Sequence, residues 1–127
     1  MDSMIFEGNT KSPAIDFNAE TGILKISGRS IPDDTFKVYN PIIEWLNQYS
    51  IQPNKTTTLD IRFEYINTSS SKFIFEILKK LEKLSNAGNE VTINWYYEED
   101  DEDMMETGED FQSIINIPIH ILEIEEA

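Results

Sequence analysis

Apolar and polar positions along the chain switch between two periods, and the switches mark its elements. Leu59, Ile61, Phe63 and Tyr65 alternate with Asp60, Arg62 and Glu64. That period of two predicts a half-buried strand over 57–66. Directly after it, Ile74, Ile77, Leu78, Leu81 and Leu84 fall on one helical stripe, which predicts a helix over about 69–86. Phe75 lies off that stripe, so it is either covered by another element or exposed for a partner.

The same reading extends to both sides. Ile5-Phe6, Ile15-Asp16-Phe17 and Ile23-Leu24-Lys25-Ile26 read as short strands, the last two forming a hairpin over about 14–27 around the turn Asn18 to Gly22. Gly28 to Asp34 reads as a helix opening, with Pro32 in the first turn and Asp33 and Asp34 at the positive end. Thr35, Tyr39, Ile42, Ile43, Leu46 and Tyr49 share the buried face of that helix, Trp45 lies beside it, and Pro41 predicts a kink. Val91, Ile93, Trp95 and Tyr97 alternate again as a strand. Asp103 to Ser113 reads as a short helix with Met104, Met105 and Phe111 as its apolar side. A final strand over Ile114 to Ile124 is apolar on both faces, which points to cover on its second face, and Pro118 places it at an edge or a strand start. The order β-β-β-α-β-α-β-α-β implies an α/β fold: one mixed sheet of five to six strands, with the two long helices on the same face.

Composition narrows the function. The chain has 127 residues, 39% of them hydrophobic, which predicts one folded domain over 1–127. It contains no cysteine, which removes disulfide frameworks, thiolate metal sites and cysteine nucleophiles. No apolar run approaches the roughly 20 residues of a membrane span, and Met1-Asp2-Ser3-Met4 lacks the regions of a signal peptide, so a cytoplasmic location is expected. Residues 1–97 carry 12 acids and 10 bases, while 98–127 carry 12 acids and no Lys or Arg. Such a chain repels nucleic acid phosphates and anionic membranes, and a basic protein partner suits it better.

Catalysis finds little footing. The single histidine, His120, sits in an apolar strand and reads as packed. No Ser-His-Asp constellation, GxxxxGK[ST] loop or GxGxxG loop is present. Nine of the thirteen residues Glu98 to Asp110 are acidic, but a calcium loop starting at Asp101 would put Met105 at position 5 and Glu106 at position 6, where an oxygen ligand and glycine are required. No metal, cofactor or catalytic group is assigned from the sequence.

The junction Asn67-Thr68-Ser69-Ser70-Ser71-Lys72 carries the chemistry. A helix start leaves backbone N–H groups unpaired, and Asn, Ser and Thr side chains accept from them. The same groups favour an added anion. The run is therefore either a plain cap, or a cap whose hydroxyl accepts phosphate. Arg29 is either a solvated cation or a holder of phosphate or carboxylate.

The chain resembles the SiaC family of bacterial regulatory phosphoproteins. The resemblance rests on Ser12-Pro13 with Ile15-Asp16-Phe17, Gly28-Arg29-Ser30-Ile31-Pro32, Tyr65 to Lys72, Trp95-Tyr96-Tyr97, Asp100-Asp101-Glu102-Asp103-Met104 and Thr107-Gly108-Glu109. It departs at Asp33-Asp34, where Glu-Asn is expected, and at Ile66, which replaces an aromatic. The resemblance implies a non-enzymatic partner-switching protein linked to cyclic-di-GMP signalling and biofilm control. Its implied acceptor is Thr68, phosphorylated by a dedicated kinase and dephosphorylated by a PP2C-type phosphatase. The unmodified form is implied to bind and activate a diguanylate cyclase. The implied architecture is similar to that of anti-sigma-factor antagonists, a STAS-like fold. Asn67, Ser69, Ser70, Ser71 and Lys72 surround the acceptor, and Arg29, Phe75, Asp100, Asp101 and Asp103 are candidates for partner contact. Two alternatives stand beside this reading. One is a constitutive acidic adaptor in which Thr68 only caps the helix. The other is a metal-dependent enzyme built on the 98–110 run.

Overall fold

The structure, a computed structural model, describes residues 1–125. The elements follow the expected order: β1 (Met4–Phe6), β2 (Ala14–Asn18), β3 (Ile23–Ser30), α1 (Thr35–Tyr49), β4 (Thr56–Ile66), α2 (Thr68–Asn86), β5 (Glu90–Glu98), α3 (Glu102–Ile114) and β6 (Ile119–Ile124). The strands form one six-stranded sheet in sequence order. β1, β2 and β3 pair antiparallel, and β3 through β6 pair parallel. Each helix connects two parallel strands, so all three helices run back against the strand direction. Their N-termini gather at the edge where β3, β4 and β5 end.

Register places the apolar sets on one side. Phe17, Leu24, Leu59, Ile93 and Ile119 stand in one cross-strand row, and Ile15, Ile26, Ile61, Trp95 and Ile121 in the next. These rows meet Ile42 and Leu46 of α1, Ile74, Ile77, Leu78 and Leu81 of α2, and Met104 and Phe111 of α3 in one core. The two long helices share that face as the stripes required, and α3 joins them. Every buried position expected on α2 is buried. The opposite face carries Asp16, Lys25, Asp60, Asn94 and His120 in one row and stays open.

Four expectations need correcting. Gly28, Arg29 and Ser30 continue β3, and α1 starts only at Thr35, capped by Asp34 accepting from the Lys37 N–H at 3.1 Å. The parallel pairing with β4 holds these residues extended, which outweighs the helix-start chemistry of Pro32. Trp45 is buried, because the N-terminal segment covers it: its Nε1 donates to the Asp2 carbonyl at 2.9 Å, and its ring stacks on Tyr49. The last strand begins at Ile119, since Ile114 closes α3 and the stretch up to Pro118 links the two. His120 and Leu122 on its second face are exposed, so neither a packed histidine nor cover on that face is found.

One buried carboxylate ties the far ends of α2 and α3. Glu82 accepts from the Asn116 N–H at 2.6 Å and from Lys79 Nζ at 2.7 Å. The Asn116 bond first and the Lys79 bond second hold this carboxyl below the usual glutamate range. A carboxyl whose native value is depressed stabilises the fold above its unfolded value, and that stability is lost as pH falls through the native one. Glu82→Gln should therefore melt below wild type near pH 7, and the gap should close in acid, below the ordinary glutamate value of about 4.3. Thermal melts across this range check it, and a gap that stayed constant with pH would exclude the carboxylate as the cause.

Candidate functional site

The strand-to-helix junction is built in three layers. The innermost is a chain of hydroxyls absent from the sequence reading. Ser30, Tyr39 and Ser70 are each fully buried. Ser30 Oγ donates to Ser70 Oγ at 2.8 Å, and Ser70 Oγ donates to the Ser30 carbonyl at 3.2 Å. Ser30 has a single hydroxyl proton, so Tyr39 must be the donor across its 2.6 Å contact with Ser30 Oγ. The relay satisfies all three groups and bolts the end of β3, α1 and the first turn of α2 together. Burial pushes the Tyr39 phenol up, although the neighbouring Ser30 and Ser70 hydroxyls act in the opposite direction. The signal in the sequence was a serine three residues into a helix start that already had an Asn, but nothing local says that it turns inward.

The second layer is the cap, and it is Asn67. Its side chain accepts from the Ser70 N–H at 2.8 Å, and its own N–H donates to the Ser30 carbonyl at 3.0 Å. Thr68 is the first helical residue and does not cap α2. This removes the reason for reading Thr68 as a structural cap.

The outer layer is what solvent meets. Thr68, Ser69 and Lys72 are exposed and Ser71 is half-buried, while Ser70 is sealed inside. Of the four consecutive hydroxyl residues, the first two are freely presented. Arg29 and Tyr65 stand beside them for a shared reason. Gly28, at φ 99°, precedes a register shift in which Gly28 pairs with Phe63 but Arg29 pairs with Tyr65. The extra residue on β4, Glu64, reverses its alternation. Ile66 takes the inward position and Tyr65, expected to be half-buried by period, is 52% exposed. Arg29 is exposed, and its Nε donates to the Thr10 carbonyl at 3.2 Å.

The acidic candidates share this edge because β5 ends beside β4. Asp101 caps α3, accepting from the Met104 N–H at 3.0 Å, and Asp100 and Asp103 are exposed next to it. Phe75 lies two turns into α2, 37% exposed, with Lys79 Nζ 6.0 Å from its ring centroid. The fold thus brings Arg29, Asn67 to Lys72 and Asp100 to Asp103 to one end, with Phe75 farther along the flank. Among the described residues no group of three or more His, Asp or Glu side chains is placed to hold a metal ion, and no helix is long and apolar enough to cross a membrane.

The model of the SiaC family regulatory phosphoproteins matches residues 6–124. An uncharacterized protein of Pseudomonas aeruginosa strain UCBPP-PA14 is 29% identical over 121 residues, covering 95% of this chain and 96% of its own. The crystal structure of apo-SiaC from Pseudomonas aeruginosa superposes with a TM-score of 0.88 at 29% identity, covering 96% of this chain and 99% of that one. SiaC in its complex with the diguanylate cyclase SiaD, which it activates, superposes at 0.90 with 28% identity, covering 95% and 99%.

Proposed function

This chain belongs to the SiaC family of regulatory phosphoproteins, and on that premise we propose that it is a non-enzymatic signalling switch. Its unmodified form binds and activates a diguanylate cyclase. A cognate kinase phosphorylates Thr68 and thereby blocks that binding, and a PP2C-type phosphatase restores it. The activator role is supported by SiaC, which is similar over nearly the whole chain and is seen with the cyclase it activates. The observation that carries the choice of residue is an exposed Thr68 on a junction whose cap and buried bolt are made by other residues.

A phosphate adds about −1.5 to −2 charge and three acceptor oxygens. At the first residue of α2 it meets free backbone N–H groups and the positive end of the helix, so the fold accommodates it. A partner packed against Thr68 instead meets bulk and a dianion where it had met a neutral methyl and hydroxyl. Desolvating that charge without a partner opposes binding by several kcal/mol.

The test is a cyclase assay with unmodified protein and with protein stoichiometrically phosphorylated on Thr68. Activation by the first alone is expected. Equal activation by both forms would overturn the switch.

A further inference from the structure

We infer that the outer edge of β6 is a docking site for an extended protein segment, which joins the six-stranded sheet as a further strand. The segment alternates apolar side chains on the open sheet face with Lys or Arg on the helix face. This site is separate from the Thr68 junction and does not rest on the switch reading.

β6 ends the sheet on one side, and among the described residues no strand pairs with its outer edge. The ladder to β5 fixes which backbone groups face that edge. The Ile93 N–H donates to the Pro118 carbonyl at 3.1 Å, and the Glu99 N–H donates to the Ile124 carbonyl at 3.2 Å. Along a strand, the backbone groups of successive residues point alternately to one neighbour and to the other. The even-numbered residues of β6 therefore serve β5, and Ile119, Ile121 and Glu123 turn their backbone groups outward. α3 covers part of this row, because Gln112 Nε2 donates to the Ile119 carbonyl at 2.8 Å. Among the described residues Ile121 and Glu123 have no such cover, and each offers an N–H and a C=O to an added strand. The opposite edge is shorter: β1 has three residues and β6 has six. Short edge strands are one way proteins discourage such pairing, and β6 lacks that protection.

The side chains along the edge set the chemistry of the occupant. On the open face His120 and Leu122 are exposed, so an added strand meets an aromatic and an aliphatic surface there. On the helix face Ile121 is half-buried and Glu123 is exposed. Exposed Glu109 stands one turn before Gln112, on the flank of α3 that overhangs the edge. Glu99 adds a third carboxylate beside Ile124. Residues 98–127 contain no Lys or Arg to offset these acids. A second copy of the chain would bring the same carboxylates against them, and like charges across a strand pair destabilise it. A segment with Lys or Arg at every second position pairs with Glu123 and Glu109 instead. Its main chain takes up the free N–H and C=O groups, which supply affinity, while the alternating side chains supply selectivity.

The test is amide hydrogen exchange, read residue by residue on the full chain with two capped peptides. One peptide alternates lysine with valine, and the other carries glutamate in place of lysine. At a lysine-peptide concentration about ten times its Kd, occupancy alone should slow exchange at Ile121 and Glu123 about tenfold. The glutamate peptide should not slow it. Glu123→Lys changes an exposed position, so it should melt as wild type does and need about tenfold more lysine peptide for the same protection. No slowing at Ile121 and Glu123, or slowing along β1 in its place, would overturn the site. Equal protection by both peptides, or an equal response of wild type and Glu123→Lys, would overturn the basic occupant. Slowing that needs no peptide and rises with protein concentration would make a second copy the occupant, and the proposal would fail.

Discussion

Thr68→Ala should take up no phosphate from the cognate kinase and yet fold and melt as wild type does. The two halves of this result have separate causes. Thr68 is the exposed hydroxyl at the first position of α2, and the neighbouring Ser70 is sealed in the Ser30–Tyr39 relay, where a kinase could reach it only by opening the turn. Stability is spared because Asn67 makes the capping bond. A surface substitution away from caps and core usually stays within about 0.5 kcal/mol. Asn67→Ala is the contrasting control, since it strips the cap and should cost about 0.5–2 kcal/mol. Thr68→Asp should fold and activate the cyclase poorly, although one carboxylate imitates a dianion incompletely. Kinase assays followed by tandem mass spectrometry decide the matter: phosphate uptake by Thr68→Ala at the wild-type level would remove Thr68 from the role, and Ser69, also exposed, would be the next residue to test.

The second large effect is at Gly108, in the middle of α3. A Cβ there would overlap the Cδ1, Nε1 and Cγ atoms of the Trp95 indole. That ring has little room to give. It is buried, its Nε1 donates to the Met104 carbonyl at 2.9 Å, and it packs on Phe63 and Phe111 at centroid distances of 6.3 and 5.5 Å. Alanine at an exposed helix position would gain about 1 kcal/mol over glycine. Here the overlap should reverse the sign, giving a net loss of about 1–3 kcal/mol as α3 lifts from the sheet. Denaturant unfolding of Gly108→Ala measures it, and a variant as stable as wild type would show that α3 can shift freely.

The elements and their faces were legible because each is written in local periodicity. Leu59, Ile61 and Phe63 on β4 and the stripe from Ile74 to Leu84 on α2 needed only the geometry of a strand and of a helix to show which way they point. Two helices with one apolar stripe each, and middle strands with one apolar face, then pointed to a shared face. The hydroxyl run and the acidic stretch were equally visible, since residue type alone names their chemistry.

What lay beyond the sequence depends on distances between residues far apart in it. Tyr65 obeys the strand period, but the register shift opposite Gly28 and Arg29 turns it outward, and a register is a property of two strands. Ser70 and Thr68 look alike in the run. Only Ser30, forty positions away, makes one of them a buried bolt and leaves the other presented. His120 sits in an apolar stretch but meets solvent, because among the described residues no helix crosses that face of β6. Nothing local to Glu82 marks it for burial, and the Asn116 N–H that it accepts from lies 34 positions away. Local pattern determines which side of an element is apolar. Where a polar group ends up, sealed, capping or free to be modified, is decided by what the rest of the chain brings against it.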